Sequence, residues 1–130
     1  MILLDTNFIL SSTKQKTHLF EQLQELYPEK KIIVPSRVLD ELEDLHERRD
    51  LTIEEREAAG LALHIFGMLE ENEKIEVIDL EGKVDDILVD YANRHKGVIL
   101  ATLDRGIKQR LEGTGTIFLT LRQKKLVREI

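Results

Sequence analysis

The chain has 130 residues, a formal net charge of −6 and no cysteine. The lack of cysteine excludes disulfides, zinc-thiolate sites and thiol catalysis, so any chemistry must use oxygen or nitrogen groups. Residues 1–130 contain no repeat and no Pro/Gly-rich linker, which predicts one domain with one core. We expect no membrane-spanning segment and no signal peptide, and therefore a cytoplasmic location.

The charge is distributed unevenly along the sequence. Residues 1–93 hold 10 Lys/Arg and 22 Asp/Glu, whereas residues 94–130 hold 9 Lys/Arg and 3 Asp/Glu. Solvated helix faces would explain such a difference, but it also fits an acidic site beside a basic surface. Aromatic residues make up only 5% of the chain, which is too few for a base-stacking platform.

Strands and helices are predicted to alternate. The apolar run Ile2 to Leu4 predicts a buried strand, and a polar stretch follows it. Further strands are predicted at "IIVP", "KIEVIDL", "GVILAT" and "TIFLTL". Helices are predicted at "HLFEQLQELY", "SRVLDELEDLHERR", "VDDILVDYANRH" and "RGIKQRLEG", and Ser36 is expected to cap the second of them. A further helix is predicted after the capping box "TIEE", with Leu61, Ile65 and Leu69 on its inner face. This alternation predicts an α/β fold with a mostly parallel sheet covered on both faces.

Acidic residues follow the predicted strands where an open parallel sheet binds its ligands, beyond the carboxyl ends of the strands. Asp5 ends the first strand, and Asp104 follows the fourth. Asp85 and Asp86 begin the helix before that fourth strand, and Glu41 lies one turn into the helix after the second. We therefore expect these carboxylates to converge on one edge of the sheet.

Each acid also has a purely structural interpretation. Asp5, Asp85 and Asp104 stand where helices are predicted to begin, and aspartate is a favoured N-cap. Several carboxylates at one edge would nevertheless repel one another unless a cation lay among them. Oxygen ligands suit one or two Mg²⁺ or Mn²⁺ ions, which would predict metal-assisted phosphodiester chemistry. The histidines show no complete metal-binding pattern.

Four motifs together resemble the PIN-domain nucleases: "LLDTN", "VPSRVLDEL", "VDDILVDYA" and "ATLDRGIKQRL". The last two look most like the branch that processes small-subunit ribosomal RNA in archaea and eukaryotes, although Gly106 stands where that branch more often has an aspartate. The resemblance implies a three-layer α/β/α sandwich whose five-stranded parallel sheet has the order 3-2-1-4-5.

The resemblance also implies roles for single residues. The metal-binding acids of the family correspond to Asp5, Glu41, Asp104 and one of the neighbours Asp85 and Asp86. Counting back along the helix favours Asp85, while both remain candidates for catalysis. Two accessory polar positions correspond to Asn7, which would hold Asp5 or a water, and Thr102, which could contact phosphate or orient Asp104.

A basic surface beside these acids would suit RNA as substrate, because phosphate contacts position a strand without reading its sequence. The candidate RNA-binding residues are Arg105, Lys108, Arg110, Arg122, Lys124 and Lys125. The expected function is that of a Mg²⁺- or Mn²⁺-dependent endoribonuclease that cleaves single-stranded or structured RNA, as in ribosomal RNA processing.

Three other functions fit the same sequence less well. The family includes toxins of toxin–antitoxin pairs, so an antitoxin, a ribosome-assembly protein or a second copy of the chain could be a partner. A phosphohydrolase with an aspartate nucleophile would need an acid at the position of Asn7. A scaffold that keeps the fold without activity would have no need to retain every acid.

Overall fold

The first strand, β1 (Ile2–Leu4), lies inside the sheet and its three residues are completely buried. The computed structural model describes residues 1–129. The other strands are β2 (Ile32–Pro35), β3 (Glu76–Ile78), β4 (Ile99–Ala101), β5 (Ile117–Arg122) and β6 (Lys125–Arg128). The helices are α1 (Thr6–Gln15), α2 (Leu19–Leu26), α3 (Ser36–Glu47), α4 (Ile53–Glu71), α5 (Val84–Arg94) and α6 (Arg105–Arg110).

The strands form one six-stranded sheet in the order β3-β2-β1-β4-β5-β6. All pairings from β3 to β5 are parallel, which confirms the predicted α/β class and the order of the first five strands. The order reverses beside β1, because the chain moves outward from β1 to β3 and then returns to β4 on the other side. Ligand sites of open parallel sheets lie at such a reversal.

The sixth strand was not predicted. β6 pairs antiparallel with β5 through a two-residue turn in which Gln123 and Lys124 both have positive φ, 50° and 66°. Turns of this kind usually contain Asn-Gly or Asp-Gly, so the sequence carries no hairpin signal here. Gln22 of α2 supports β6 instead: its side chain donates to the carbonyl of Lys124 at 2.8 Å and accepts from the N–H of Leu126 at 2.9 Å.

The helices form two layers around the sheet. α1, α3 and α4 pack against one another, and α5 packs against α6. The connections between parallel strands are right-handed crossovers. From β1 to β3 the chain moves along the sheet in one direction, and from β3 to β5 it moves in the other. Helices α1, α3 and α4 therefore cover one face of the sheet, and α5 and α6 cover the other. No helix within residues 1–129 combines the length and apolar character that crossing a bilayer requires.

Three details of the helices differ from the prediction. The stretch after β1, predicted as polar, is mostly helix α1, whose face with Phe8 and Ile9 is buried. Ser36 does not cap α3; Pro35 occupies the N-cap, and the Ser36 hydroxyl donates to Asp79 at 2.9 Å.

The third difference is the buried face of α4. Leu61 and Ile65 were predicted to point inward but are 51% and 38% exposed, while the buried residues are Ala58, Ala59, Ala62 and Phe66. α4 makes most of its contacts with α3 and α1, and small side chains allow that close approach. At Gly60 a Cβ atom would come within 2.6 Å of the His46 ring of α3.

Candidate active site

Asp5 and Thr102 are brought together by the pairing of β1 with β4. Leu4 is aligned with Ala101, and the N–H of Asp5 continues the ladder by donating to the carbonyl of Ala101 at 3.0 Å. The next residues in register, Asp5 and Thr102, therefore leave the carboxyl ends of neighbouring strands side by side.

The Thr102 hydroxyl links the two aspartates of the site. It donates to Oδ2 of Asp5 at 2.7 Å and accepts from the N–H of Asp104 at 3.1 Å. Thr102 is fully buried and Asp5 is only 5% exposed. Since Thr102 directly follows β4 and its hydroxyl is held by the N–H of Asp104, Thr102 sets the orientation of the Asp5 carboxylate.

The N-cap interpretation accounts for Asp104 but leaves Asp5 unexplained. Oδ1 of Asp104 accepts from the N–H groups of Gly106 and Ile107, at 2.7 and 3.2 Å, and so caps α6. Asp5 occupies the N-cap position of α1, yet its side chain makes no capping hydrogen bond. Asp85 does not occupy an N-cap position at all, because Lys83 holds that position in α5.

The buried carboxyl of Asp5 has a raised pKa. Burial is the main cause because it disfavours the charged form, and the negative charges of Asp104 and Glu41 add to it. The hydrogen bonds from the Thr102 hydroxyl and from the backbone of Thr6 lower the pKa of Asp5 and so oppose this shift. A carboxylate in this environment would gain from a nearby cation.

Glu41 is held by the residue that follows Asp5. The hydroxyl of Thr6 donates to Oε1 of Glu41, a contact between α1 and α3. Asn7 lies in the same pocket with an exposed side chain, and no hydrogen bond to Asp5 is present. Thr6 was not singled out in the sequence, because its motif "LLDTN" gives no sign of a partner on another helix.

The neighbouring aspartates of α5 both approach Arg110, whose Nη1 lies 4.0 Å from Oδ2 of Asp85, but only Asp85 also lines the pocket. Asp85 lines the pocket with Asp5, and its Oδ1 accepts the N–H of Asp86 at 3.0 Å. Asp86 does not line the pocket; its Oδ1 pairs with Nη1 of Arg110 at 2.9 Å. The placement of the side chains therefore favours Asp85 over Asp86 as the acid that faces the pocket.

The pocket at this edge has a volume of about 450 Å³. Its acidic lining residues include four of the predicted site residues: Asp5, Glu41, Asp85 and Asp104. Its lining also contains charged residues that sequence analysis did not single out: Arg37, Asp44, Arg48 and Lys83. The spacing of Arg37, Glu41, Asp44 and Arg48 along α3 puts them on one helix face, and this is the signal that could have found them.

None of the six predicted RNA-binding residues lines the pocket. Two are in ion pairs, Lys108 with Glu129 at 2.6 Å and Arg110 with Asp86 at 2.9 Å. Arg122 and Lys125 face each other at the end of the β5–β6 hairpin. Because β5 runs three residues past its last pairing with β4, this end projects roughly 10 Å beyond β4, on the same edge as the carboxylates.

The donor set suits a hard divalent cation. The pocket offers carboxylate and hydroxyl oxygens and neither sulfur nor histidine, which matches Mg²⁺ or Mn²⁺. Within residues 1–129 no three acidic or histidine side chains are close enough to ligate one ion together. Mg²⁺ commonly uses only one or two carboxylates and keeps several waters, so Asp5 and Asp104 with water could hold it.

Comparisons with known proteins agree with this geometry. The family model described as "PIN like domain" matches residues 2–124. Ribonuclease VapC4 of Methanocaldococcus jannaschii is 29% identical over 123 residues, which cover 93% of this chain and 89% of that protein. The structure of the PIN domain endonuclease Utp24 superimposes with a TM-score of 0.74 at 31% identity, covering 98% of this chain and 90% of that one. The chain therefore belongs to the PIN-like domain family, whose matched members are a ribonuclease and an endonuclease.

Proposed function

We propose that this protein is an endoribonuclease that depends on Mg²⁺ or Mn²⁺ and cleaves single-stranded or structured RNA. The observation that carries the proposal is the pairing of Asp5 and Asp104 through Thr102, in a pocket that Glu41 and Asp85 also line. An acid kept buried beside other acids costs free energy of folding, and a cation-dependent reaction explains why it is there.

The chain's own residues fix the geometry of the reaction. A bound cation would polarise the phosphodiester, lower the pKa of a water and stabilise the leaving oxygen. Asp5 and Asp104 would hold that cation, Thr102 orients Asp5, and the α6 backbone fixes one oxygen of Asp104. Glu41 and Asp85 extend the negative charge to the walls of the pocket, where a second ion or an attacking water would be held.

Ribonuclease VapC4 supports RNA as the substrate class, and the endonuclease Utp24 supports cleavage within a strand. The basic hairpin tip with Arg122, Lys124 and Lys125 lies at the same edge of the sheet as the carboxylates. A role in ribosomal RNA processing rests on the motifs "VDDILVDYA" and "ATLDRGIKQRL", which resemble the branch of the family that processes small-subunit ribosomal RNA. In that role the protein would act with RNA and a ribosome-assembly partner.

A second candidate is the toxin of a toxin–antitoxin pair. The family that the chain resembles includes such toxins, and the similarity to ribonuclease VapC4 over 93% of the chain supports RNA as their common target. Both candidates use the same carboxylates, so they differ in substrate and partner and not in chemistry. Co-expression with the product of an adjacent small gene would separate them, because an antitoxin would suppress cleavage and copurify with the chain.

The function is tested by cleavage of a labelled single-stranded RNA with Mn²⁺, with Mg²⁺ and with a chelator. Asp5→Asn and Asp104→Asn should each lower the rate about 10³-fold, since cation stabilisation is worth several kcal/mol and each ~1.4 kcal/mol is a factor of ten. Asp40→Asn is the matched control, because Asp40 is exposed on α3 outside the pocket. Equal cleavage by wild type and Asp5→Asn would contradict the proposal.

A further inference from the structure

Three cationic side chains lie among the carboxylates of the pocket: Arg37, Arg48 and Lys83. Arg48 is already neutralised by Asp50, with Nε–Oδ1 and Nη2–Oδ2 distances of 3.0 and 2.6 Å. Arg37 and Lys83 form no ion pair with any residue between 1 and 129. The pocket therefore presents two cations whose charge is available to an anion.

These two cations stand on opposite sides of the acids. Arg37 lies one helical turn before Glu41 on α3, and Lys83 lies two residues before Asp85 at the start of α5. α3 and α5 cover opposite faces of the sheet, so the carboxylates at the sheet edge lie between Arg37 and Lys83.

A nucleic-acid strand needs such cations more here than elsewhere on the surface. Carboxylates repel the phosphates next to the one being cut, and a bound divalent ion compensates only the scissile position. Arg and Lys side chains placed beside the acids can bind the flanking phosphates directly. Lys108 and Arg110 are less able to do so because Glu129 and Asp86 already pair with them.

We propose that Arg37 and Lys83 bind the backbone phosphates on either side of the scissile phosphate, so that the RNA strand crosses the sheet edge from α3 to α5. This inference rests on the endoribonuclease function proposed above and adds the path of its substrate. It differs from a path along α6 and the β5–β6 hairpin, in which the basic residues of 105–125 would make the main contacts.

The test is the steady-state cleavage of a fluorescent oligouridylate in Mg²⁺ at several salt concentrations, with Arg37→Gln, Lys83→Gln and the double variant. Each single change should raise KM about fivefold with kcat nearly unchanged, as expected when a screened phosphate contact is lost. Each should also reduce the slope of log(kcat/KM) against log[salt] by about 0.7, the value for one contact to a single strand.

Matched controls separate this result from a general effect of charge. Arg49→Gln and Lys74→Gln remove exposed cations that lie outside the pocket and form no ion pair within residues 1–129. Lys124→Gln with Lys125→Gln tests the hairpin path. In Arg37→Gln and Lys83→Gln the melting temperature should not fall, and the Mg²⁺ concentration for half-maximal activity should not rise.

The outcomes also distinguish this inference from the function on which it rests. If wild type cuts RNA, Asp5→Asn does not, and the two pocket variants behave like Arg49→Gln, the nuclease stands and the proposed path is wrong. A larger change in slope from the hairpin variant than from the pocket variants would likewise overturn it. If wild type cuts no faster than Asp5→Asn, the nuclease function itself fails and the path fails with it.

Discussion

Two cavities of nearly equal size differ completely in what lines them. The pocket at the carboxyl ends of β1 and β4 has a volume of about 450 Å³ and is lined mainly by charged residues. A second cavity of about 420 Å³, here called the apolar groove, lies between the end of α1, the start of α2 and α4, and its apolar lining consists of Leu19, Phe20, Leu61, Ile65, Phe66 and Leu69. Volume alone would not tell them apart, whereas the convergence of charged groups does.

The buried polar groups of the two cavities show the same contrast. In the pocket, Asp5 is 5% exposed, and hydrogen bonding through Thr102 ties it to Asp104. In the apolar groove, the buried hydroxyl of Thr17 donates only to the nearby carbonyl of Ser12, at 3.2 Å. Ser12 is 1% exposed and its own hydroxyl has no hydrogen-bond partner within residues 1–129. A connected network indicates a constrained geometry, and a lone hydroxyl indicates none. Substitutions in each cavity test whether only the charged pocket carries a constrained site.

After the loss of activity already expected for Asp5→Asn and Asp104→Asn, the next largest effect is expected from Thr102→Val. Losing the hydroxyl leaves the N–H of Asp104 unpaired and removes the stronger of the two hydrogen bonds that lower the pKa of Asp5. Activity should fall about 10- to 100-fold, as for other residues that orient metal ligands. The acidic limb of the pH–rate profile should move to higher pH, whereas Thr102→Ser should restore both rate and profile. An unchanged pH profile in Thr102→Val would show that the hydroxyl only supports packing.

A smaller effect is expected on the stability of Asp5→Asn without metal. The raised pKa of Asp5 means that its carboxyl favours the folded state when protonated, so wild type loses stability as pH rises from the ordinary value of 3.8 through the raised one. The variant cannot titrate at this position and should be more stable above that range, by about 1 kcal/mol or roughly 4 °C.

The measurement is thermal unfolding of both proteins in chelator across the acidic and neutral range. The difference in melting temperature should be small below pH 3.8 and should grow as pH rises. A variant that melts below wild type at neutral pH would contradict the clustered-acid interpretation of the pocket.

The smallest effect is expected in the apolar groove, from Ser12→Ala. Removing a buried hydroxyl that has no hydrogen-bond partner should leave stability unchanged or raise it by about 1 kcal/mol. The rate of RNA cleavage should equal that of wild type, since Ser12 is outside the polar pocket. If this variant cut RNA more slowly, the two cavities would be coupled and the distinction between them would fail.

The fold class and the position of the aspartates at strand ends were predictable from the sequence. The apolar runs and their spacing gave the α/β class, and the resemblance gave the order of β1 to β5. The aspartates at strand ends were expected at one edge because parallel strands all end there. The structure places Asp5, Asp85 and Asp104 in one pocket, as the motif order suggested.

Contacts between distant elements were not predictable in the same way. Helical spacing assigns Leu61 and Ile65 of α4 to one face but cannot tell whether that face or the alanine face meets α3 and α1. The hairpin with β6 depends on Gln22, which lies about 100 residues earlier in the chain. The contact of Thr6 with Glu41 and the charges of Arg37 and Lys83 likewise needed the packed helices.

The hydrogen bond from Thr102 to Asp5 joins residues 97 positions apart in the chain. β1 is the first of these strands along the chain, but the ribosome makes its neighbour β4 only after β2, β3 and five helices. Until that point the carboxylates of Asp5 and Asp104 cannot meet, so a nascent or prematurely terminated chain that stops within α4 contains no assembled site. During synthesis the pocket can therefore form only after β4 has left the ribosome.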